Sequence, residues 1–442
     1  MKAFIIILVS FFLAVLTFSP LDAQTTNEKI DTYLQHLADH DKMMGSVAIS
    51  QNGKLQFSKA YGYVDVEKGI KANENSIYRV GSITKVFTSI LIHQLIDEAR
   101  LSDSTTLDNY YLTVPNAKNI TIGQMLQHRS GIYNFTNAED YLDYNENPIS
   151  KNDLVEKISS FEPDFAPGEN SAYSNSAYVL LGFILEDIYN DSYANILEKR
   201  IVKKLGLKYT RIGKPEINTN DNVANSYQYL TNWNKEEVTD MTVCGGAGAI
   251  VATAQEINKV MYALFQLELT SKSSLEDMIY LKNDFGKGLF AYPYNNERAY
   301  GHTGGIDGFR SITCHFPNGL TFTMLNNGEN YIKNDIILAI FDIYNGQEVA
   351  LPNLDKADVN IVDWNPYEGV FESDKLPINL TFKEENNVLT AQGTGQPAFA
   401  LEAVSDLEFK FDQAGVYITF DKNFKAIILK QGGADYKMIR KK

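Results

Sequence analysis

Where the strand-like runs fall restricts the fold of this chain most. Two short runs, 46–51 and 54–60, flank Asn52-Gly53 near the start. Asn-Gly between apolar runs marks a tight hairpin. Strand-like runs return at 288–292, 309–316 and 320–326, followed by a helical period over 332–344. Helical patterns lie between, at 122–127, 152–160, 177–189 and 254–267, and another precedes the hairpin at 27–42. Strands at both ends with helices between them predict one antiparallel sheet, flanked by helices and joined to an all-helical lobe. The expected class is α/β (α+β), and a cleft where sheet meets lobe is the natural place for a site.

Beyond residue 363 the pattern changes. Short strand-like runs are punctuated by Asn386-Asn387, Ala414-Gly415 and Gly432-Gly433, which predicts a small β-meander or barrel. The expected organisation is a leader over 1–23, a body over 24–350, a linker over 351–363 and a β-domain over 364–442. The leader has Lys2, an apolar run over 3–18 and Pro20-Leu21-Asp22-Ala23 at its end. That run is short for a membrane span, which needs about 20 residues. The chain is therefore expected to be exported to a bacterial periplasm or beyond, without stable membrane insertion after cleavage.

The net charge is −15, and the leader's one Lys and one Asp cancel. So acidic a chain is a poor partner for nucleic acid. Cys244 and Cys314 alone make no disulfide framework, and whether they meet stays open. The six histidines suggest no metal site.

The chemistry begins at Ser82-Ile83-Thr84-Lys85, the one Ser-x-x-Lys in the sequence. It follows Gly81 and opens a helical stripe of Val86, Phe87, Ile90, Leu91 and Leu95. A serine in a helix's first turn lies near free backbone N–H groups and the positive end of the dipole. A lysine three residues on shares its face. Buried, that lysine can lose its proton and serve as the base a serine nucleophile needs. Two further groups gain meaning from this one. Tyr173-Ser174-Asn175 sits in a turn that feeds the 177–189 helix, where a phenol can relay protons and an amide can bind a carbonyl or fix the lysine. His302-Thr303-Gly304-Gly305 taken alone reads rather as a glycine-rich turn before the 309–316 strand. As a strand edge, its bare backbone could aim an N–H at an oxyanion or bind a peptide-like substrate.

Together Ser82-x-x-Lys85, Tyr173-x-Asn175 and His302-Thr303-Gly304 resemble the serine penicillin-recognising family. That family holds class C β-lactamases, DD-peptidases, D-aminopeptidases and related esterases. Tyr-x-Asn points to its class C-like branch, and the likeness covers roughly residues 25–344. The resemblance implies Ser82 as acylated nucleophile, Lys85 as its base and Tyr173 as proton shuttle. It implies Asn175, His302, Thr303, Gly304 and Gly305 as substrate-binding residues, with the Ser82 and Gly305 N–H groups as oxyanion hole. His128 matches an element that is structural in the family. His302 stands where lysine is usual, and an unperturbed imidazole would carry partial positive charge there. Histidine in this triplet favours peptidase over lactamase. Residues 364–371 resemble the start of a lipocalin-like β-domain often appended to the family.

The expected activity is an exported serine hydrolase, a DD-peptidase or D-amino-acid-specific peptidase acting on peptidoglycan fragments or D-amino-acid peptides. Alternatives are an esterase or weak class C-like β-lactamase, and a non-catalytic penicillin-binding or sensing module. No metal or organic cofactor is implied.

Overall fold

The computed structural model describes residues 20–441 apart from 356, 358, 377, 386 and 395–397. Of the expected leader, 1–19 lie outside the described residues, and 20–23 belong to the first helix. In chain order the elements that position the site are α1 (Pro20–Asp39), β1 (Met43–Gln51), β2 (Lys54–Tyr61), α2 (Thr84–Asp97), α3 (Asn175–Tyr189), α4 (Met241–Gly248), α5 (Ala254–Phe265), β3 (Phe290–Tyr294), β4 (Glu297–Ile306), β5 (Phe309–His315), β6 (Leu320–Glu329) and α6 (Lys333–Tyr344). The sheet order is β3-β4-β5-β6-β1-β2. Early and late strands meet at its centre, where Ala48 of β1 opposes Thr323 of β6 in antiparallel register. The antiparallel sheet expected from the sequence is therefore present, with its two halves drawn from opposite ends of the body.

The sheet buries both faces. On one, Ile30 and Leu34 of α1 and Ile336 and Ile340 of α6 pack against Val47, Phe322 and Met324. On the other, α5 joins the core of the helical lobe, which α2 threads with every residue from Thr84 to Leu95 buried. β3 pairs with β4 only as far as Gly301. Residues 302–306 of β4 therefore continue past their neighbour as an edge facing the lobe. The glycine-rich segment is extended strand there, not a turn.

Between Tyr344 and Gly369 no helix or strand is described. Nine short antiparallel strands follow from Gly369 to Arg440. The two edge strands, Ala398–Ala400 and Glu402–Ala403, are neighbours in the chain, so the sheet curls into a nearly closed barrel. Phe371, Phe382, Phe409 and Phe420 fill it edge to face, which makes these rings its own core. The barrel is pinned to the body by Lys42, buried between Asp412 at 3.1 Å and Glu402 at 3.3 Å. Gln413 adds a hydrogen bond to the Glu329 carbonyl. A buried ion pair adds little net stability but holds two units in one orientation.

Both cysteines are free and buried, Cys244 in the lobe and Cys314 on β5. His36 and His40 on α1 do stand four apart, with ring centroids 4.4 Å from each other. His36 Nε2 is 2.9 Å from the Pro352 carbonyl oxygen, and among the described residues no third ligand joins the pair. Among the described residues no helix is long and apolar enough to cross a membrane.

Candidate active site

The edge of β4 runs past the turn Gly81–Ile83 that opens α2. The approach is so close that only glycine fits. A Cβ on Gly304 would lie 2.1 Å from the Val80 carbonyl oxygen, 2.3 Å from Ser311 Oγ and 3.1 Å from the Ser82 nitrogen. Gly81 has φ 53°, and its Cβ would meet the Gly305 nitrogen at 3.0 Å. Two glycine-bearing backbones thus lie side by side, with Ser82 half-buried between buried neighbours. We expect Gly304→Ala to push β4 off this turn and cut kcat about a hundredfold, the cost typical of a displaced oxyanion donor. Steady-state hydrolysis of a neutral ester measures it, and an unchanged kcat would dissociate the strand from the chemistry.

Lys85 is fully buried, and its amine touches three oxygens. They are Ser82 Oγ at 3.0 Å, Asn175 Oδ1 at 2.8 Å and the Ala247 carbonyl at 2.9 Å. Burial holds its pKa well below the usual lysine value. A neutral amine has two hydrogens and one lone pair. Asn175 Oδ1 and the Ala247 carbonyl can only accept, so they take both hydrogens. The lone pair is left facing the Ser82 hydroxyl, which is the geometry of a general base. On its other side the Asn175 amide donates through Nδ2 to Thr136 Oγ1 at 3.0 Å. Ser174, the N-cap of α3, accepts from the Ala177 N–H and sets the turn that presents Tyr173 and Asn175. The amide thus orients the lysine, one of the two uses open to it from the sequence.

Tyr173 faces the same hydroxyl from the other side. Burial raises its pKa above the ordinary phenol value and a hydrogen bond with Ser82 opposes that, so the phenol is protonated and able to donate. The Lys85 Nζ lies 4.8 Å from its ring centroid. His128 stacks on Tyr173 at 4.4 Å, and its Nδ1 accepts from the Ser174 N–H at 3.1 Å. It supports the tyrosine from behind.

His302 corrects one expectation. The sequence suggested a partly charged imidazole. Its ring is 2 % exposed, packed edge-on to Phe290 at 4.8 Å and tilted to Tyr173 at 6.3 Å. Burial, with Lys85 nearby, pushes its pKa down to about 3. Nδ1 donates to the Thr303 carbonyl, and Nε2 is buried without a partner. His302 is therefore a neutral wedge at neutral pH.

A cavity of about 490 Å³ opens on the opposite side of Ser82. Gly305, Asn175, Thr136, Leu142, Val243 and Arg310 are among its walls. Beneath it Arg79 pairs with Asp307 at 3.4 Å, and Asp307 also accepts from Thr239 Oγ1 at 2.7 Å. Thr136, Ala247 and Arg310 were not among the site residues expected from the sequence. Gly246 lets α4 touch α3, since its Cβ would lie 2.9 Å from the Gly182 Cα, and this brings the Ala247 carbonyl to the lysine.

A serine set between a buried lysine amine and a tyrosine hydroxyl, on a sheet-and-lobe scaffold, defines a serine hydrolase of the β-lactamase fold. The family model described as "Beta-lactamase" matches residues 30–343, more than two thirds of the chain, and the chain belongs to that family. A teichoic acid D-alanine hydrolase of Staphylococcus aureus is 27% identical over 326 residues, covering 70% of this chain and 77% of that protein. Among solved structures, the D-amino acid amidase of Ochrobactrum anthropi SV3 superposes with TM-score 0.65 at 20% identity, over 73% of this chain and 99% of that one. The octameric penicillin-binding protein homologue of Pyrococcus abyssi gives TM-score 0.64 at 21% identity, over 93% and 99%. The latter likeness extends through most of this chain.

Proposed function

We propose that the protein hydrolyses D-aminoacyl amides or esters through an acyl-enzyme on Ser82. Lys85 takes the Ser82 proton as Oγ attacks the carbonyl carbon. The backbone N–H groups of Ser82 and Gly305 hold the oxyanion. Tyr173 hands a proton to the leaving group, and the same set then activates water for deacylation. The observation that carries this reading is the buried Lys85 amine, 3.0 Å from Ser82 Oγ and held against it by the Asn175 Oδ1 and Ala247 carbonyl oxygens. The D-aminoacyl class is supported by the relative and the structural neighbour, whose names specify D-alanine and a D-amino acid amide.

Of the two peptidase activities expected, the neutral His302 favours a D-aminoacyl peptidase or amidase over a DD-peptidase. A DD-peptidase must hold the terminal carboxylate of its leaving group, and a buried uncharged ring does that poorly. The same observation supports esterase activity as a second reading. Export on the leader-like 1–23 would put the enzyme where cell-envelope D-amino acids occur.

The test is incubation with a fluorophosphonate probe, and with a D-alanyl amide and ester, beside Ser82→Ala. A covalent mass increase on the peptide holding Ser82, absent in the variant, is the expected result. Equal labelling of the variant would overturn the mechanism. Labelling of Ser82 without turnover of any substrate would favour a sensing module.

A further inference from the structure

We infer that Arg310 is a specificity residue that selects substrates whose acyl portion carries an oxyanion, a carboxylate or a phosphate. The inference rests on the acyl-enzyme reading and narrows its D-aminoacyl class to acyl groups that carry an anionic side chain, which D-alanyl itself does not.

The argument begins with register. Asp307-Gly308 turns β4 into β5, so Gly305 lies directly opposite Arg310. Cross-strand partners project to the same face of a sheet. Gly305 has no side chain, and Arg310 occupies the space above it. Its Nη1 lies 3.8 Å from where a Gly305 Cβ would stand. The guanidinium therefore borders the backbone that would hold the oxyanion, on the wall of the cavity.

Its charge is not spent on a salt bridge. Nη1 donates to two backbone carbonyls, Asp307 at 2.7 Å and Phe309 at 2.9 Å. Among the described residues no carboxylate lies within ion-pair distance of it. Arg79, beneath the cavity, pairs with Asp307 instead. Arg310 feels Glu236 and Glu329 only at longer range. The two backbone bonds fix the planar fork while leaving donors over, the arrangement that suits an oxyanion.

The side of the substrate follows from direction along β4. The protonated Tyr173 packs near His302, at one end of the exposed edge. A leaving group departs toward its proton donor. The acyl group must then extend the other way, past Gly305 to Arg310. His302, being neutral, offers an anion no charge on the leaving-group side. The charge is met on the acyl side of Ser82 instead.

The experiment compares three p-nitrophenyl esters of similar size, the butyrate, the hydrogen succinate and the 3-phosphonopropanoate, with spontaneous hydrolysis subtracted. Wild type should show higher kcat/KM for one or both anionic esters than for the butyrate, and which one is preferred separates carboxylate from phosphate. Arg310→Gln should cut that preference by about tenfold or more, mainly through KM, and Arg310→Lys should restore part of it. No preference in wild type would overturn the inference, whatever the variants do. So would an equal loss on neutral and anionic esters in Arg310→Gln. Fluorophosphonate labelling of Ser82 runs alongside. A labelled wild type without preference sinks only the assignment of Arg310, whereas an unlabelled one sinks the acyl-enzyme reading beneath it.

Discussion

Replacing Lys85 by methionine should slow acylation of Ser82 by about a thousandfold and leave the protein folded. A positioned base contributes roughly 10²–10⁴ in rate, and a serine hydroxyl without one is a poor nucleophile. Methionine has nearly the volume of lysine and suits the buried path of the side chain. It leaves Asn175 Oδ1 and the Ala247 carbonyl without their donor, at about 1–3 kcal/mol each. Removing an amine that burial already penalises offsets part of that cost. The thermal midpoint should therefore move by only a few degrees. Arginine at the same position separates two roles. It keeps a positive charge but has no lone pair at any accessible pH. If Lys85 acts as base, Lys85→Arg is as slow as Lys85→Met. If its charge were what mattered, arginine would recover much of the rate. Stopped-flow acylation by a chromogenic ester reads both, and wild-type rates in Lys85→Met would end the assignment. In the native enzyme the rate should fall as pH drops and Lys85 gains a proton.

How much of this was legible beforehand depends on how local each relationship is. Ser82 and Lys85 are one helical turn apart, so their meeting follows from helix geometry. The antiparallel sheet followed from the hairpin at Asn52-Gly53 and the late apolar runs, because strand periodicity is also local. Tyr173 and Asn175 were readable as the mouth of a helix, though not their shared target. The charge of His302 was not readable. It depends on Phe290 and Tyr173 closing over the ring, and their approach is set by the way lobe and sheet pack. The Ala247 carbonyl could not be named at all, since every residue has one and only the Gly246–Gly182 contact selects it. Arg310 was within reach. The Asp307-Gly308 turn implies that Gly305 faces Arg310, and hairpin register would have placed the guanidinium beside the oxyanion strand.

The second large effect should appear in acid. Three buried histidines resist protonation in the folded state. His302 is pushed down to about 3, His315 to about 4, and His128 well below its ordinary value, each chiefly by burial. Unfolded, all three titrate near 6.5. Between the folded and unfolded values the unfolded chain binds more protons, so stability rises with pH. It is complete above about pH 6.5 and lost as pH falls toward the folded values. At a pH two units below 6.5, each ring still neutral in the fold costs on the order of 3 kcal/mol. The rings of His302 and His315 together reach a large part of the stability of an ordinary domain, roughly 5–15 kcal/mol, and His128 acts in the same direction. Glu236 and Glu329 work the other way, since burial raises their pKa and the fold takes up their protons first. The carboxylates held low, Asp65, Asp97 and Asp277, begin to cost only further into acid. The thermal midpoint should thus drop by on the order of 10 °C between pH 7 and pH 4.5. His315 offers the clean test, because it stacks on Phe265 at the far end of β5 from Arg310 and bonds Thr321 Oγ1 at 2.8 Å. His315→Gln keeps a polar group there but removes a titrating one. The midpoint of that variant should fall less steeply over the same range. A midpoint flat to pH 4.5 in the parent, or parallel curves for parent and variant, would show that these rings do not govern acid stability.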